Sequence, residues 1–118
     1  MEMKLLAGKK VLLTAGSTHE PIDSIRYFSE SSGNKIGYEI AESLLKHGAE
    51  IYLITGPGQV GLAHPNLSLI TVQTACDMYM ACCKLFEDCD IAIFAAAIPE
   101  YKPKEIVQEY GVEAGINV

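Results

Sequence analysis

Gly16-Ser17-Thr18 and Ser31-Ser32-Gly33-Asn34-Lys35 are the segments of this sequence best suited to holding an anion. Backbone N–H groups and small hydroxyls there can approach phosphate oxygens with no Cβ in the way. Between them lies Arg26, the only arginine of the chain. Its planar fork of donors suits bidentate capture of a phosphate or carboxylate, and the plainer alternative is a solvated loop arginine. A third group, Ala95-Ala96-Ala97 followed by Ile98-Pro99-Glu100-Tyr101, lets backbone approach a flat ligand, with Glu100 able to contact a sugar or a cation. The alanines serve close helix–sheet packing equally well. His19, His47 and His64 have no metal-ligand spacing, and no nucleophile–His–acid set stands out. His47, in the last turn of its helix, is read as a partner of the helix dipole.

These segments need elements to position them. Val11-Leu12-Leu13-Thr14-Ala15 is a short apolar run that stops at Gly16, the pattern of a buried strand entering a loop. Residues 16–33 are polar and turn-rich, long for a strand-to-helix connection, and loops beyond about 12 residues in compact domains are more often functional than filler. Over 35–47 the apolar residues Ile36, Ile40, Ala41, Leu44 and Leu45 recur at helical spacing, with Gly48 as the expected stop. Strands follow over 51–55 and 67–72. Thr74 with Asp77 reads as a short-armed capping box opening a helix to about residue 87, and a fourth strand spans 90–97. Strands with continuous apolar runs, alternating with helices, imply a parallel sheet covered on both faces. The expected fold is a Rossmann-like three-layer α/β domain with a mostly parallel sheet. Ligands bind such sheets outside the carboxyl ends of the strands.

Gly56-Pro57-Gly58-Gln59-Val60-Gly61 matches GxGxxG and follows a strand. A dinucleotide site needs a helix to open at those glycines, and Pro65 and the strand over 67–72 leave no room for one, so the segment reads as a turn.

The 118 residues allow one domain, with its core over 8–104 and an irregular or briefly helical tail over 105–118. Four strands and two clear helices make a thin doubly wound sheet, so the expected architecture is truncated. A 49% hydrophobic, 20% charged composition excludes the disordered and fibrous classes. The net charge of -6 argues against a nucleic-acid backbone partner. No run approaches the about 18 apolar residues of a membrane helix, and residues 1–10 lack a secretory core. A cytoplasmic location is therefore expected. Cys76, Cys82, Cys83 and Cys89 crowd into one segment and read as buried thiols rather than metal ligands.

The block from Leu13 to Tyr27, Leu-Thr-Ala-Gly-Ser-Thr-His-Glu-Pro-Ile-Asp-Ser-Ile-Arg-Tyr, closely resembles the opening of phosphopantothenoylcysteine synthetase, the phosphopantothenate-cysteine ligase of coenzyme A synthesis. In bacteria this often forms the C-terminal half of the DNA/pantothenate metabolism flavoprotein. Lys35-Ile36-Gly37-Tyr38, Gly56-Pro57, Thr74-Ala75 with Met78, and the strand from Asp90 to Ala97 match in the same order, so the likeness covers about residues 8–104.

The resemblance implies a CTP-dependent ligase working with Mg2+. The carboxylate of 4'-phosphopantothenate is activated as an acyl-cytidylate with loss of pyrophosphate, and the amine of cysteine then displaces CMP. By the same resemblance Gly16, Ser17, Thr18, Ser32, Gly33, Asn34 and Lys35 border the nucleotide, Ala96 and Ala97 present backbone to the cytosine, Glu100 stands for the acid after the alanines, and Arg26 serves the phosphopantothenate. Glu30 occupies the place of a family Asn that stabilises the acyl-cytidylate, and Tyr110 falls where the family has a lysine-rich stretch. The flavin of the bifunctional proteins belongs to their other domain, so FMN is not expected. The likeness is to the N-terminal half of the ligase domain, which implies a chain incomplete for catalysis, working as a homodimer or with a partner chain that supplies the other half. The alternative is a non-catalytic nucleotide- or flavin-binding module or partner subunit.

Overall fold

The structure is a computed structural model that describes residues 4–23, 26–29, 34–58 and 61–98. Its strands are β1 (Lys10–Ala15), β2 (His19–Pro21), β3 (Tyr27–Ser29), β4 (Glu50–Thr55), β5 (Leu67–Thr71) and β6 (Ile91–Phe94). Two helices, α1 (Asn34–Lys46) and α2 (Ala75–Leu85), separate them, and α2 runs into a single 3-10 turn over Phe86–Asp88. Four strands form one parallel sheet in the order β5-β4-β1-β6. This is the Rossmann-like α/β fold that the strand and helix pattern implies.

The central position of β1 explains its composition. Val11, Leu12, Leu13, Thr14 and Ala15 are all buried, because both faces of the strand are covered. Val11, Leu13 and Ala15 pack with Ile51 and Leu53 of β4 against Ala41 and Leu45 of α1. On the opposite face Leu12 and Ile54 pack against Met78 of α2. Each buried Leu or Ile contributes about 1.5–3 kcal/mol over its exposed state, so this three-layer sandwich is set by the alternating faces of two strands.

The helix ends follow local chemistry. Gly48 has φ +87, its N–H donates to Leu45 O at 3.0 Å, and the Ala49 N–H donates to Leu44 O at 3.2 Å. That is a Schellman stop, which needs a left-handed residue after the helix. At α2 the Thr74 Oγ1 accepts from the Asp77 N–H at 3.1 Å, and the Asp77 carboxylate accepts from the Thr74 N–H at 3.2 Å. The capping box is closed as its spacing predicts.

One element departs from expectation. Within residues 16–33, β2 and β3 pair antiparallel, with His19 opposite Ser29, Glu20 opposite Phe28 and Pro21 opposite Tyr27. The hairpin turn is closed by Ile22 and Asp23 N–H groups donating to Arg26 O at 2.8 and 3.2 Å. A strand of three residues containing a proline has too little periodicity to read in sequence, and the pairing becomes visible only in three dimensions.

Candidate functional site

The strand order reverses direction beside β1. From β1 the chain moves to β4 on one side, and from β5 it crosses to β6 on the other. The crevice at the carboxyl ends of β1 and β6 is therefore the topological switch point, where open α/β sheets bind ligands. Two of the sequence-predicted segments meet there. Ser17 bridges Ala97 in parallel register, the Ala97 N–H donates to Gly16 O at 2.8 Å, and the Thr18 N–H donates to Ala97 O at 3.3 Å. The Ala96 N–H donates to Thr14 Oγ1 at 3.4 Å. The ladder between the two segments thus runs past the strand ends, and the N–H groups of Thr18, Ala96 and Ala97 are engaged within it.

The buried polar side chains of the described residues all gather at this end of the sheet. They are Thr14, Ser17, Thr18, Glu20 and Thr55. Burying polar groups is unfavourable unless each finds a partner, so their concentration makes this end of the sheet the candidate site. Thr55 Oγ1 donates to Gly56 O at 3.3 Å and lies 3.4 Å from the Tyr38 hydroxyl of α1. Thr18 is fully buried, and its Oγ1 has no hydrogen-bond partner among the described residues. Gly56 closes the rim from β4: a Cβ on it would run into the carbonyl of Ser17. The glycine pattern after β4 therefore has a packing role, and no helix opens at its described glycines.

Two helix N-termini point to this edge. Glu20, almost fully buried on β2, places Oε1 2.7 Å from the Ala75 N–H at the start of α2. The His19 N–H donates to Gln73 O at 2.7 Å, tying the same strand to the loop before α2. The chain's own carboxylate thus occupies the positive end of α2. At α1, Gly37 in the second turn lies against Ala15 at the end of β1, and Lys35 is exposed in the first turn, where no acidic side chain is present. Within the first turn of α1 no acidic side chain competes for its N-terminal N–H groups.

Arg26 stands at the hairpin turn. Its Nε and Nη2 donate to Asp23 Oδ2 at 2.9 and 2.7 Å, and its backbone N–H donates to Asp23 Oδ1 at 2.7 Å. The guanidinium side chain is 71% exposed. Asp23 orients it by one edge of its fork, leaving donors on the other.

Among the sequence-predicted site residues, Gly16, Ser17, Thr18, Ala96 and Ala97 are brought together, Asn34 and Lys35 begin α1 at the same edge of the sheet, and Arg26 sits on the adjoining hairpin. Glu30, Ser32, Gly33 and Glu100 lie outside the described residues, as does Tyr110. Sequence reasoning missed Glu20, Asp23, Thr55 and Gly56. Glu20 and Asp23 stood in the Leu13–Tyr27 block as carboxylates without partners in sight, and their partners are named only by the fold.

The cysteines correct the expectation of buried thiols, and Cys82 and Cys83 line a groove together with Thr14, Ala75 and Ala96 of this end of the sheet. On α2, Cys76 and Cys83 are exposed and Cys82 is half-buried, because the helix turns one side toward solvent; Cys89, just after the 3-10 turn, is half-buried. All four are free thiols. Burial pushes the Cys82 thiol up, helped by Cys83, and burial with Asp88 and Asp90 raises Cys89. Tyr79 is raised by its hydrogen bond with Cys83. No group of three or more His, Cys, Asp and Glu side chains among the described residues could hold a metal ion. Among them, too, no helix is long and apolar enough to cross a membrane.

Comparison with known proteins agrees with this geometry. The chain is 41% identical over 101 residues to the coenzyme A biosynthesis bifunctional protein CoaBC of Borreliella burgdorferi, covering 86% of this chain and 26% of that protein. It is 37% identical over 100 residues to a cysteine/cysteine sulfinic acid decarboxylase of an unknown prokaryotic organism, covering 85% of this chain and 28% of that protein. The crystal structure of the C-terminal domain of a CoaBC protein superposes with a TM-score of 0.80 at 34% identity, over 98% of this chain and 57% of that one. The chain thus spans about a quarter of the length of these curated relatives. With the family model for the DNA/pantothenate metabolism flavoprotein C-terminal domain matching residues 6–110, and the Leu13–Tyr27 block standing at the switch point of the sheet, the chain belongs to that family.

Proposed function

We propose that this chain supplies the nucleotide-holding rim of a phosphopantothenate-cysteine ligase-like domain of coenzyme A synthesis. The observation that carries the proposal is the cluster of buried polar side chains at the switch point, with the Thr18 hydroxyl unpartnered, in a chain of this family. A nucleotide laid across the ends of β1 and β6 would meet Gly16, Ser17 and Thr18 on one side and Ala96, Ala97 and Glu100 on the other. Its phosphates would lie toward Ser32, Gly33, Asn34 and Lys35 at the start of α1, where helix dipole and lysine charge favour anions.

The nucleotide is CTP by family likeness. Mg2+ is proposed to arrive on the triphosphate, since the described residues gather no metal-binding set of their own. The carboxylate oxygen of 4'-phosphopantothenate attacks the α-phosphorus and pyrophosphate leaves. The cysteine nitrogen then attacks the acyl carbon and gives up a proton to water, the new C–N bond forms, and CMP departs with the C–O electron pair. Arg26 meets the anionic phosphopantothenate with the edge of its fork that Asp23 leaves free. Glu30, in place of the family Asn, would repel the acyl-cytidylate instead of donating to it. The setting for this chemistry is the cytoplasm.

A second reading is a nucleotide-binding module without ligase turnover of its own. It is favoured by Glu30, a carboxylate at the place of the family Asn. Titration of CTP with Mg2+, followed by pyrophosphate release in the presence of phosphopantothenate, separates the two. Binding with release supports the ligase, binding without release supports the module, and no binding removes the nucleotide assignment.

A further inference from the structure

We infer that Glu20 is a positioning residue for the anion that Arg26 takes: its carboxylate, fixed at the start of α2, sets where the β2–β3 hairpin and the arginine at its turn stand. The inference rests on the reading of Arg26 as the group that meets phosphopantothenate, and it adds the residue on which that contact depends.

The hairpin is not part of the main sheet. Among the described residues β2 and β3 form a two-stranded sheet of their own, so the β5-β4-β1-β6 ladder does not fix their place. A two-stranded hairpin is marginal by itself and takes its position from other contacts. Two bonds from β2 supply them, and both reach the segment that opens α2. The His19 N–H donates to Gln73 O at 2.7 Å, and Glu20 Oε1 accepts from the Ala75 N–H at 2.7 Å. The first joins backbone groups, whereas the second depends on the side chain of a residue 55 positions away in sequence.

The start of α2 has its own cap. Thr74 and Asp77 close the capping box, and a first-turn amide such as that of Ala75 is commonly satisfied by water. Yet Glu20 is only 6% exposed, and taking a carboxylate out of water is unfavourable without a return. What this bond adds is the place of the hairpin.

Register carries that placement to Arg26. Glu20 stands opposite Phe28 and Pro21 opposite Tyr27, the residue after Arg26. The N–H groups of Ile22 and Asp23 donate to Arg26 O, which ties its backbone to the strand that holds Glu20. Asp23 then fixes the guanidinium relative to the turn, and Glu20 fixes the turn relative to the domain. With the arginine side chain 71% exposed, packing does little to hold it, and a two-donor grip on an anion tolerates little displacement. The proposed nucleotide rim is held by different bonds, those joining Gly16 and Thr18 to Ala97.

The test uses the complete 118-residue chain, in which Arg26 is the only arginine and its Nε–H gives a single side-chain resonance in isotope-labelled protein. Parent, Glu20→Ala, Glu20→Asp and Glu20→Gln chains are titrated separately with phosphopantothenate and with CTP and Mg2+. Removing or shortening the side chain should weaken phosphopantothenate about tenfold, the worth of one charge-assisted hydrogen bond, and change CTP affinity by less than about twofold. Glu20→Gln, which keeps the acceptor, should bind as the parent does, and the Asp–Gln comparison stands even where the alanine chain does not fold. In an Arg26→Ala background, Glu20→Asp should have no further effect on phosphopantothenate, the mark of a residue acting through Arg26. The inference is overturned if Glu20→Asp binds phosphopantothenate as the parent does, if it weakens CTP equally, as a purely stabilising role would, or if its effect persists without Arg26. A parent chain whose Arg26 resonance ignores phosphopantothenate sinks the functional reading and the inference together, whereas parent-like binding by every Glu20 variant sinks the inference alone.

Discussion

Thr18→Val makes opposite predictions for stability and for binding. The substitution replaces the hydroxyl with a methyl of nearly the same shape. Thr18 is fully buried and its Oγ1 has no partner among the described residues. A buried polar group left without a hydrogen bond costs about 1–3 kcal/mol, so the valine protein should unfold with a free energy higher by about that amount. For a chain of this size that corresponds to roughly 3–6 °C in Tm per kcal/mol. If the hydroxyl instead waits for a ligand oxygen, the same change should weaken CTP binding about 10- to 100-fold, the worth of one hydrogen bond to a charged group. Urea unfolding at pH 7 measures the first effect and calorimetric titration with CTP and Mg2+ the second. Thr18→Ser, which keeps the hydroxyl and loses the methyl, should retain binding and lose stability. A valine protein less stable than the parent by more than about 0.5 kcal/mol, at unchanged m-value, would mean the hydroxyl is satisfied and the reasoning wrong. Unchanged CTP affinity would show that it does not face the nucleotide.

Further substitutions probe the supports of the rim. Glu20→Ala removes a buried carboxylate from the Ala75 N–H and should cost about 1.5–3 kcal/mol, with Glu20→Gln retaining part of it; equal stability of Ala and parent proteins in urea would refute the link between hairpin and α2. Gly56→Ala drives a methyl into the Ser17 carbonyl and should cost about 1–3 kcal/mol while weakening any ligand of the rim, read by thermal unfolding and CTP titration together. The raised thiols of Cys82 and Cys89 hold their protons longer in the folded than in the unfolded chain. Their contribution is therefore complete below the ordinary thiol value of 9.0 and is lost as pH rises through the raised value. The urea midpoint should fall above pH 9, and Cys82→Ala with Cys89→Ala should flatten that fall.

Much of this protein is determined by sequence alone, because the signals involved are local. The apolar run from Val11 to Ala15 can only be a strand covered on both faces, and Gly48 and the Thr74–Asp77 pair stop and start helices through contacts within a few residues. The Leu13–Tyr27 block carried the family likeness without any coordinates, and Gly16 to Thr18 and Ala96 to Ala97 were legible as rim residues at strand ends. What the tertiary structure decided are relations across long stretches of chain. Ser17 meets Ala97 because β6 crosses to the far side of β1, a choice that no local pattern encodes. Glu20 reaches the Ala75 N–H of α2, beside the Thr74 cap, because β2 is tied to the loop before that helix. The glycines after β4 look like a dinucleotide signature in sequence, and the fold uses Gly56 for close approach to Ser17. Periodicity and capping are short-range and survive in the linear chain, whereas the pairing of buried polar groups depends on which strands become neighbours.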